Sequence, residues 1–144
     1  MPPTGFHHVE IWVADLASVE PSWSWLLGEL GWELYQDWPA GRSWRSGEAY
    51  LVVEQSSAVR PRVAYDRMRP GLNHIAVHAP DRQTVDRIHE AGPANGWQQL
   101  FAEKYPHAGG PDHYAAYLTD AAGFEIEVVA PEAEALTQAP EAEA

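Results

Sequence analysis

The chain reads HVEIWV at residues 8–13 and HIAVHA at residues 74–79, and each stretch is followed by an aspartate and a helical segment. Apolar residues alternate in both stretches, which predicts strands with one buried face. His8 and His74 then open two equivalent strands, with side chains opposite the Val and Ile face. Glu127 ends a further alternating stretch in the second half. Two strand histidines and a strand carboxylate in duplicated halves indicate a site for a divalent metal ion.

The same order of predicted elements occurs in both halves of the chain. The first half is expected to form a strand, a helix and three strands, at residues 6–13, 18–30, 32–38, 43–46 and 49–55. The second half repeats this order at residues 72–79, 81–91, 97–101, 113–119 and 124–129. Since neither half easily buries its own sheet and helix, we expect an α+β fold in which two βαβββ modules pair. Their strands would form an open, eight-stranded, barrel-like sheet with the helices outside.

The length of the chain suits one domain. Its 144 residues are typical of a domain with a single core. We expect this domain to cover residues 1–130, with module 1 at about 5–56, a linker at 57–70 and module 2 at about 71–130. Residues 131–144 are rich in Ala, Glu and Pro, so we expect them to form an acidic, disordered tail.

The composition argues against several classes of function. The net charge of −12 is unfavourable for nucleic-acid binding, which normally needs a basic surface. The chain has no cysteine, which excludes thiolate ligands, cysteine nucleophiles and disulfides. The first residues lack a basic and an apolar signal region, and no apolar stretch reaches the roughly 18 residues of a membrane span. We therefore expect a cytoplasmic protein with a small-molecule substrate and no nucleic-acid or membrane partner.

Two polar segments each have two interpretations. Four arginines of the linker form either a solvated connector or a rim that attracts anions near a pocket: Arg60, Arg62, Arg67 and Arg69. The segment PHAGGPDHY at residues 106–114 is dense in groups that transfer protons. Within it, His113 or Tyr114 is a candidate general acid or base, and the alternative is a solvated surface loop.

Three patterns in order resemble those of the vicinal oxygen chelate superfamily. They are HVxIxVxDL at residues 8–16, NHIA at residues 73–76 and DAAGFEIE at residues 120–127. This superfamily includes glyoxalase I, extradiol dioxygenases, methylmalonyl-CoA epimerase, and the fosfomycin- and bleomycin-resistance proteins. The resemblance covers about residues 5–130, and it implies a glyoxalase-like fold.

The resemblance also implies one divalent metal ion per site, held by His8, His74 and Glu127. The family has a fourth ligand position on the last strand of the first half, where a direct alignment puts Val52. Glu54 is two residues further along and faces the same side. It is therefore either the fourth ligand, through a small register shift, or a base beside the metal. Imidazole and carboxylate donors fit Fe, Mn, Ni, Zn, Co or Mg.

The function implied by the resemblance is that of a metal-dependent enzyme acting on a small organic molecule that offers oxygen ligands. Lyase or isomerase chemistry is favoured, with Glu54 or Glu127 moving a proton. The alternatives are an Fe(II) extradiol dioxygenase and a metal-free protein that binds a drug, as bleomycin-resistance members do. Similar members dimerise, so we expect a homodimer with several of the seven tryptophans at its interface. The candidates are Trp23, Trp25, Trp32, Trp38 and Trp44.

Overall fold

Both halves of the chain form the predicted βαβββ order. The computed structural model describes residues 2–132. Module 1 contains β1 (His8–Trp12), α1 (Leu16–Glu29), β2 (Glu33–Trp38), β3 (Gly41–Ser46) and β4 (Ala49–Glu54). Module 2 contains β5 (His74–His78), α2 (Arg82–Ala91), β6 (Gln98–Leu100), β7 (Ala115–Thr119) and β8 (Glu125–Val129). Every predicted strand and helix is present, and the predicted acidic tail lies, apart from its first two residues, outside the described residues.

Short local signals set the two helices. In α1 the buried side chains have the spacing of one helix face: Val19, Trp23, Leu26 and Leu27. Gly31, just after this helix, has the left-handed conformation (φ +85°) that commonly ends a helix. Asp81 caps α2, because its carboxylate accepts a hydrogen bond from the backbone N–H of Thr84 at 2.7 Å. Within residues 2–132, no helix combines the length and the apolar character that crossing a membrane requires.

The strands form two four-stranded sheets of the same topology. The order is β1-β4-β3-β2 in module 1 and β5-β8-β7-β6 in module 2. In each sheet the first strand runs parallel to the last, and the remaining pairs are antiparallel. Over the described residues no strand pairs across the modules, so the eight strands remain two sheets within one chain. The α+β fold built from two βαβββ modules is confirmed.

A shared core joins the helix-covered faces of the two sheets. Trp23 of α1 donates from Nε1 to Oδ2 of Asp120 in module 2 at 2.9 Å. Trp97 of module 2 donates from Nε1 to the carbonyl of Ser22 in α1, also at 2.9 Å. The two indole rings pack edge-on, with centroids 5.1 Å apart. These contacts tie α1 to module 2, so the burial of one module depends on the other.

Two tryptophans that we predicted at a dimer interface lie in this core instead. Trp23 is fully buried and Trp44 is 2% exposed. Both indoles point to the helix-covered side of their module, where they find partners within the same chain. The interface prediction is therefore wrong for these two residues. It stays a prediction for Trp25, Trp32 and Trp38, which are half-buried.

Candidate metal centre

A buried carboxylate on β8 is the centre of the candidate site. Glu127 is 6% exposed. His74 Nε2 lies 3.2 Å from Oε1 of this carboxylate. His113 Nε2 contacts the other carboxylate oxygen, Oε2. One buried carboxylate is therefore shared between two imidazoles, one from β5 and one from the loop before β7.

The tautomer of His74 follows from the hydrogen bonds of its neighbour. Asn73 Nδ2 donates to the carbonyl of Arg67 at 3.0 Å, which leaves Asn73 Oδ1 facing His74 Nδ1 at 2.7 Å. The proton of a neutral His74 must be on Nδ1, since an amide oxygen only accepts. Nε2 then presents a lone pair to Glu127, and two acceptors face each other favourably only with a proton or a cation between them. The pair therefore has the donor chemistry of a divalent-metal site, including the outer hydrogen bond that orients a ligating histidine.

Tyr117 borders the site from the neighbouring strand β7. It pairs with Glu127 in the antiparallel register, so the two side chains lie on the same face of the sheet. Burial, and after it the charge of Glu127, raise the pKa of Tyr117 to about 12. The phenol therefore stays protonated near neutral pH and can donate a hydrogen bond. Tyr117 was not among the predicted site residues, and the alternation of β7 is the one sequence signal that marks its face.

The predicted ligand from module 1 does not join this pair within one chain. His8 is exposed on β1, and its ring stacks on Tyr50 with centroids 4.8 Å apart. His8 and His74 border the same groove, of about 590 Å³, between β1 and β5. Among the side chains of residues 2–132, however, no three His, Asp or Glu groups come close enough to hold a metal ion. The structure thus brings together His74 and Glu127 but not His8.

The strand register decides which residue of β4 is equivalent to Glu127. Glu127 pairs with Ala76, the third residue of β5. Val52 pairs with Glu10, the third residue of β1. Val52 is therefore the equivalent position, and Glu54 lies two residues, or roughly 7 Å, further along the strand. Glu54 could act as a ligand only through a register shift between β1 and β4. The pairing of these strands is continuous and shows no such shift.

Glu54 instead lies at the end of β4, on the same sheet face as the acidic residue Glu10 of β1. It pairs with Trp12, whose Nε1 donates to Oε2 of Glu10 at 2.6 Å. Desolvation first, and then the hydrogen bond and charge of Glu10, raise the pKa of Glu54. A raised carboxyl pKa suits a general base near neutral pH. The role of Glu54 as a base stays a prediction.

Tyr114, the other residue predicted from the polar loop, faces away from the site. Its hydroxyl donates to Oδ1 of Asp86 on α2 at 2.7 Å, and its ring packs under the guanidinium of Arg82 at 4.5 Å. His113 precedes it directly and reaches Glu127, because consecutive side chains of an extended segment point to opposite sides. The catalytic role predicted for Tyr114 therefore has no geometric basis, whereas that of His113 keeps one.

The arginine-rich linker divides between two surfaces. Arg67 Nη1 forms an ion pair with Oε1 of the buried Glu125 at 3.0 Å. Arg60 and Arg62 border a separate groove next to Val63. The interpretation as a charged rim near the site therefore applies to Arg67 and not to Arg60 or Arg62.

Comparison with known proteins identifies related sequences and structures. A profile of the Glyoxalase/Bleomycin resistance protein/Dioxygenase superfamily matches residues 7–117. The uncharacterized protein YqjT of Bacillus subtilis (strain 168) is 40% identical over 125 residues, which cover 87% of this chain and 98% of the relative. A Bacillus halodurans structure provisionally assigned as a glyoxalase matches with a TM-score of 0.82 and 42% identity, over 88% of this chain and 95% of that one. The fosfomycin resistance protein FosX of Listeria monocytogenes, solved with Mn(II) and sulfate, shares the fold with a TM-score of 0.62 and 16% identity, over 92% of this chain and 94% of that one.

Proposed function

Because this chain belongs to the glyoxalase/bleomycin resistance protein/dioxygenase superfamily, we propose that it is a metal-dependent enzyme acting on a small organic molecule with oxygen donors. Lyase or isomerase chemistry is the favoured class. The observation that carries the proposal is the pair of His74 and Glu127, in which the imidazole Nε2 lies 3.2 Å from an oxygen of the buried carboxylate while Nδ1 faces Asn73. A neutral imidazole and a carboxylate placed in this way need a proton or a cation between them, and we propose that a divalent cation takes this place.

The residues that would hold the ion are His8, His74 and Glu127. Imidazole and carboxylate donors fit Fe, Mn, Ni, Zn, Co or Mg, and two histidines with one carboxylate leave coordination positions for substrate oxygens. When bound, such an ion acts as a Lewis acid that polarises a carbonyl oxygen or stabilises an enolate. FosX of the same fold, solved with Mn(II), is consistent with a metal of this group.

The chain's other polar groups would orient the substrate and move protons. Tyr117 is a protonated donor beside Glu127. His113 contacts Oε2 of Glu127 and precedes β7 directly, so its imidazole is placed to exchange a proton at the edge of the site. Glu54, with its raised pKa, is a second candidate base, from module 1.

A homodimer would complete the ligand set, because one chain gathers His74 and Glu127 without His8. Large apolar side chains are exposed near the sheet edges, with Phe6 81% exposed and Leu34 57% exposed. Exposed apolar surface of this kind is typical of a protein interface. We therefore propose that two copies associate and that His8 of one copy joins His74 and Glu127 of the other.

Two alternative functions use parts of the same surface. An Fe(II) extradiol dioxygenase would use the same three ligands, and O₂ consumption distinguishes it from a lyase or an isomerase. A metal-free drug-binding protein would instead use the open face of module 1, where Trp12 is 46% exposed and Tyr35 is 44% exposed. The metal content distinguishes this alternative from both enzymes.

Metal analysis of protein purified without chelator tests the proposal. We expect about one divalent ion per complete site, and loss of that ion in His8→Ala, His74→Ala and Glu127→Gln. His78→Ala is the matched control, because His78 lies on the same strand face as His74 and should leave the metal in place. Light scattering should give twice the chain mass of 16.0 kDa.

Three results would contradict parts of this proposal. Wild-type protein without metal would favour the drug-binding alternative. Full metal retention in His74→Ala would remove the ligand assignment. A monomer at micromolar concentration would confine any metal site to one chain.

A further inference from the structure

A small cavity adjoins the pair of His74 and Glu127 on the side of the linker. Its volume is about 280 Å³, and its walls come from the linker, β5, β7 and the segment after β6. The residues that matter here are Arg67, His74, Phe101, Lys104, Tyr117 and, from β8, the carboxylate Glu125. His74 also contacts Glu127, and Tyr117 pairs with Glu127 across the sheet. The cavity therefore adjoins the proposed reaction centre directly.

Two cations face this cavity in a strongly acidic chain. Lys104 is the single lysine of a sequence whose net charge is −12. Within residues 2–132 it forms no ion pair, so no described carboxylate neutralises its ammonium group. Arg67 uses Nη1 for Glu125, and a guanidinium has four further N–H donors. Glu125 lines the same cavity and offsets the charge of Arg67, so Lys104 supplies the positive charge for an anionic group and Arg67 adds hydrogen bonds from its remaining N–H groups.

Phe101 adds an apolar wall in a strained backbone position. Its φ of +55° lies in the left-handed region, which is unfavourable for residues other than glycine. The ring is 43% exposed and packs edge-on against Tyr117, with centroids 5.5 Å apart. Strained positions of this kind are frequent at ligand-binding sites. An exposed ring held beside two cations suits a ligand with an apolar portion next to its charge.

We propose that Lys104 and Arg67 bind the anionic group of a small organic acid, either a carboxylate or a phosphoryl group, whose apolar portion packs on Phe101. The inference rests on the proposed function, because it takes the other end of the same molecule to the oxygen-binding pair His74 and Glu127. Charge-assisted hydrogen bonds are the stronger class, so these two donors would select anionic substrates over neutral ones. A small molecule fits the volume of about 280 Å³.

Calorimetric titration of the purified full-length protein with three probes tests this inference. The probes are benzoate, phenylphosphonate and the uncharged benzamide. We expect at least one of the anions to bind about tenfold or more tightly than benzamide, and the tighter anion identifies the substrate's charged group. Lys104→Met should weaken that anion by about 10–100-fold without changing benzamide binding, and Lys104→Arg should restore it. Arg60→Met, which removes a positive charge at the separate groove, is the control and should bind like wild type.

The single lysine also permits a direct observation. Reductive methylation with ¹³C-formaldehyde gives one lysine signal in the NMR spectrum besides that of the terminal amine, and the preferred anion should shift it. Equal binding of the anions and benzamide, an unshifted lysine signal, or equal affinities of wild type and Lys104→Met would overturn the inference. Metal content measured on the same samples separates the two proposals. Anion binding that depends on Lys104 in a protein without metal would support the anion subsite and overturn the proposal of a metal-dependent enzyme. A protein that holds metal but binds the anions independently of Lys104 would overturn the subsite alone.

Discussion

Trp23→Phe tests how the two modules hold each other in place. The substitution removes the indole N–H that donates at 2.9 Å to Asp120, from a fully buried ring to a carboxyl residue that is 6% exposed. A hydrogen bond to a charged group contributes about 1.5–3 kcal/mol. The smaller ring also loses roughly 40 Å² of buried apolar area, or about 1 kcal/mol. We expect the free energy of unfolding to fall by about 2.5–4 kcal/mol.

Urea unfolding at fixed protein concentration measures this loss. With a slope of about 2 kcal/mol per molar, the midpoint should fall by roughly 1–2 M. Trp25→Phe is the matched control on the same helix, because Trp25 is half-buried and its indole makes no hydrogen bond within residues 2–132. We expect this control to cost less than about 1 kcal/mol.

A double-mutant cycle isolates the hydrogen bond from the packing. Asp120→Asn keeps one oxygen for the backbone N–H groups of Ala122 and Phe124, and it turns an amide donor toward the indole of Trp23. The coupling free energy between Trp23→Phe and Asp120→Asn should therefore be about 1.5–3 kcal/mol. A coupling near zero, or equal costs for Trp23→Phe and Trp25→Phe, would refute this reasoning.

Three further predictions concern packing, pH and the second carboxylate. Gly96→Ala should lower the free energy of thermal unfolding by about 2–4 kcal/mol, because a Cβ at φ +87° would lie 2.1 Å from the hydroxyl oxygen of Ser22 in α1. Gly47→Ala is the control, because the space around Gly47 is open, and it should cost about 1 kcal/mol. Equal costs for the two variants would disprove the clash. Burial lowers the pKa of His89, so the unfolded chain binds more protons and stability falls as the pH drops below about 6.5. His89→Phe keeps a ring stacked on Tyr105 and should reduce the change of the urea midpoint between about pH 7.5 and 5.5. An unchanged pH dependence of the midpoint would exclude His89 as the source of that dependence. Glu54→Gln should retain metal and lose turnover if Glu54 is a base, and unchanged turnover would make it a bystander.

Local patterns predicted the elements, and together with the family resemblance they predicted two residues of the candidate site. Alternation places His74 and Glu127 at a defined phase on their strands, and residues of the same phase on adjacent strands share a sheet face. The duplicated βαβββ order then makes β5 and β8 neighbours. Periodicity allows Glu125 and Glu127 alike, since both lie on the same face of β8, and the family pattern that ends at residue 127 selected Glu127.

The rest of the site depends on distances that periodicity does not encode. Val52 and Glu54 lie on the same face of β4, so alternation alone allows either of them at the fourth ligand position. The continuous pairing with β1 makes Val52 the equivalent of Glu127. The polar loop offers His113 and Tyr114 alike, and the path of the chain into β7 sends only His113 to Glu127.

By itself the sequence determined the order of strands and helices, the duplicated modules and the face on which each strand histidine lies, because all of these follow from spacings of two to four residues. Only the tertiary structure decided which groups meet across long separations. Arg67 reaches Glu125 across 58 residues, and Trp23 reaches Asp120 across 97. Such contacts depend on how the two modules pack and on the course of the loops between strands. The same packing removes Trp23 from the surface and leaves His8 apart from His74 and Glu127 within one chain.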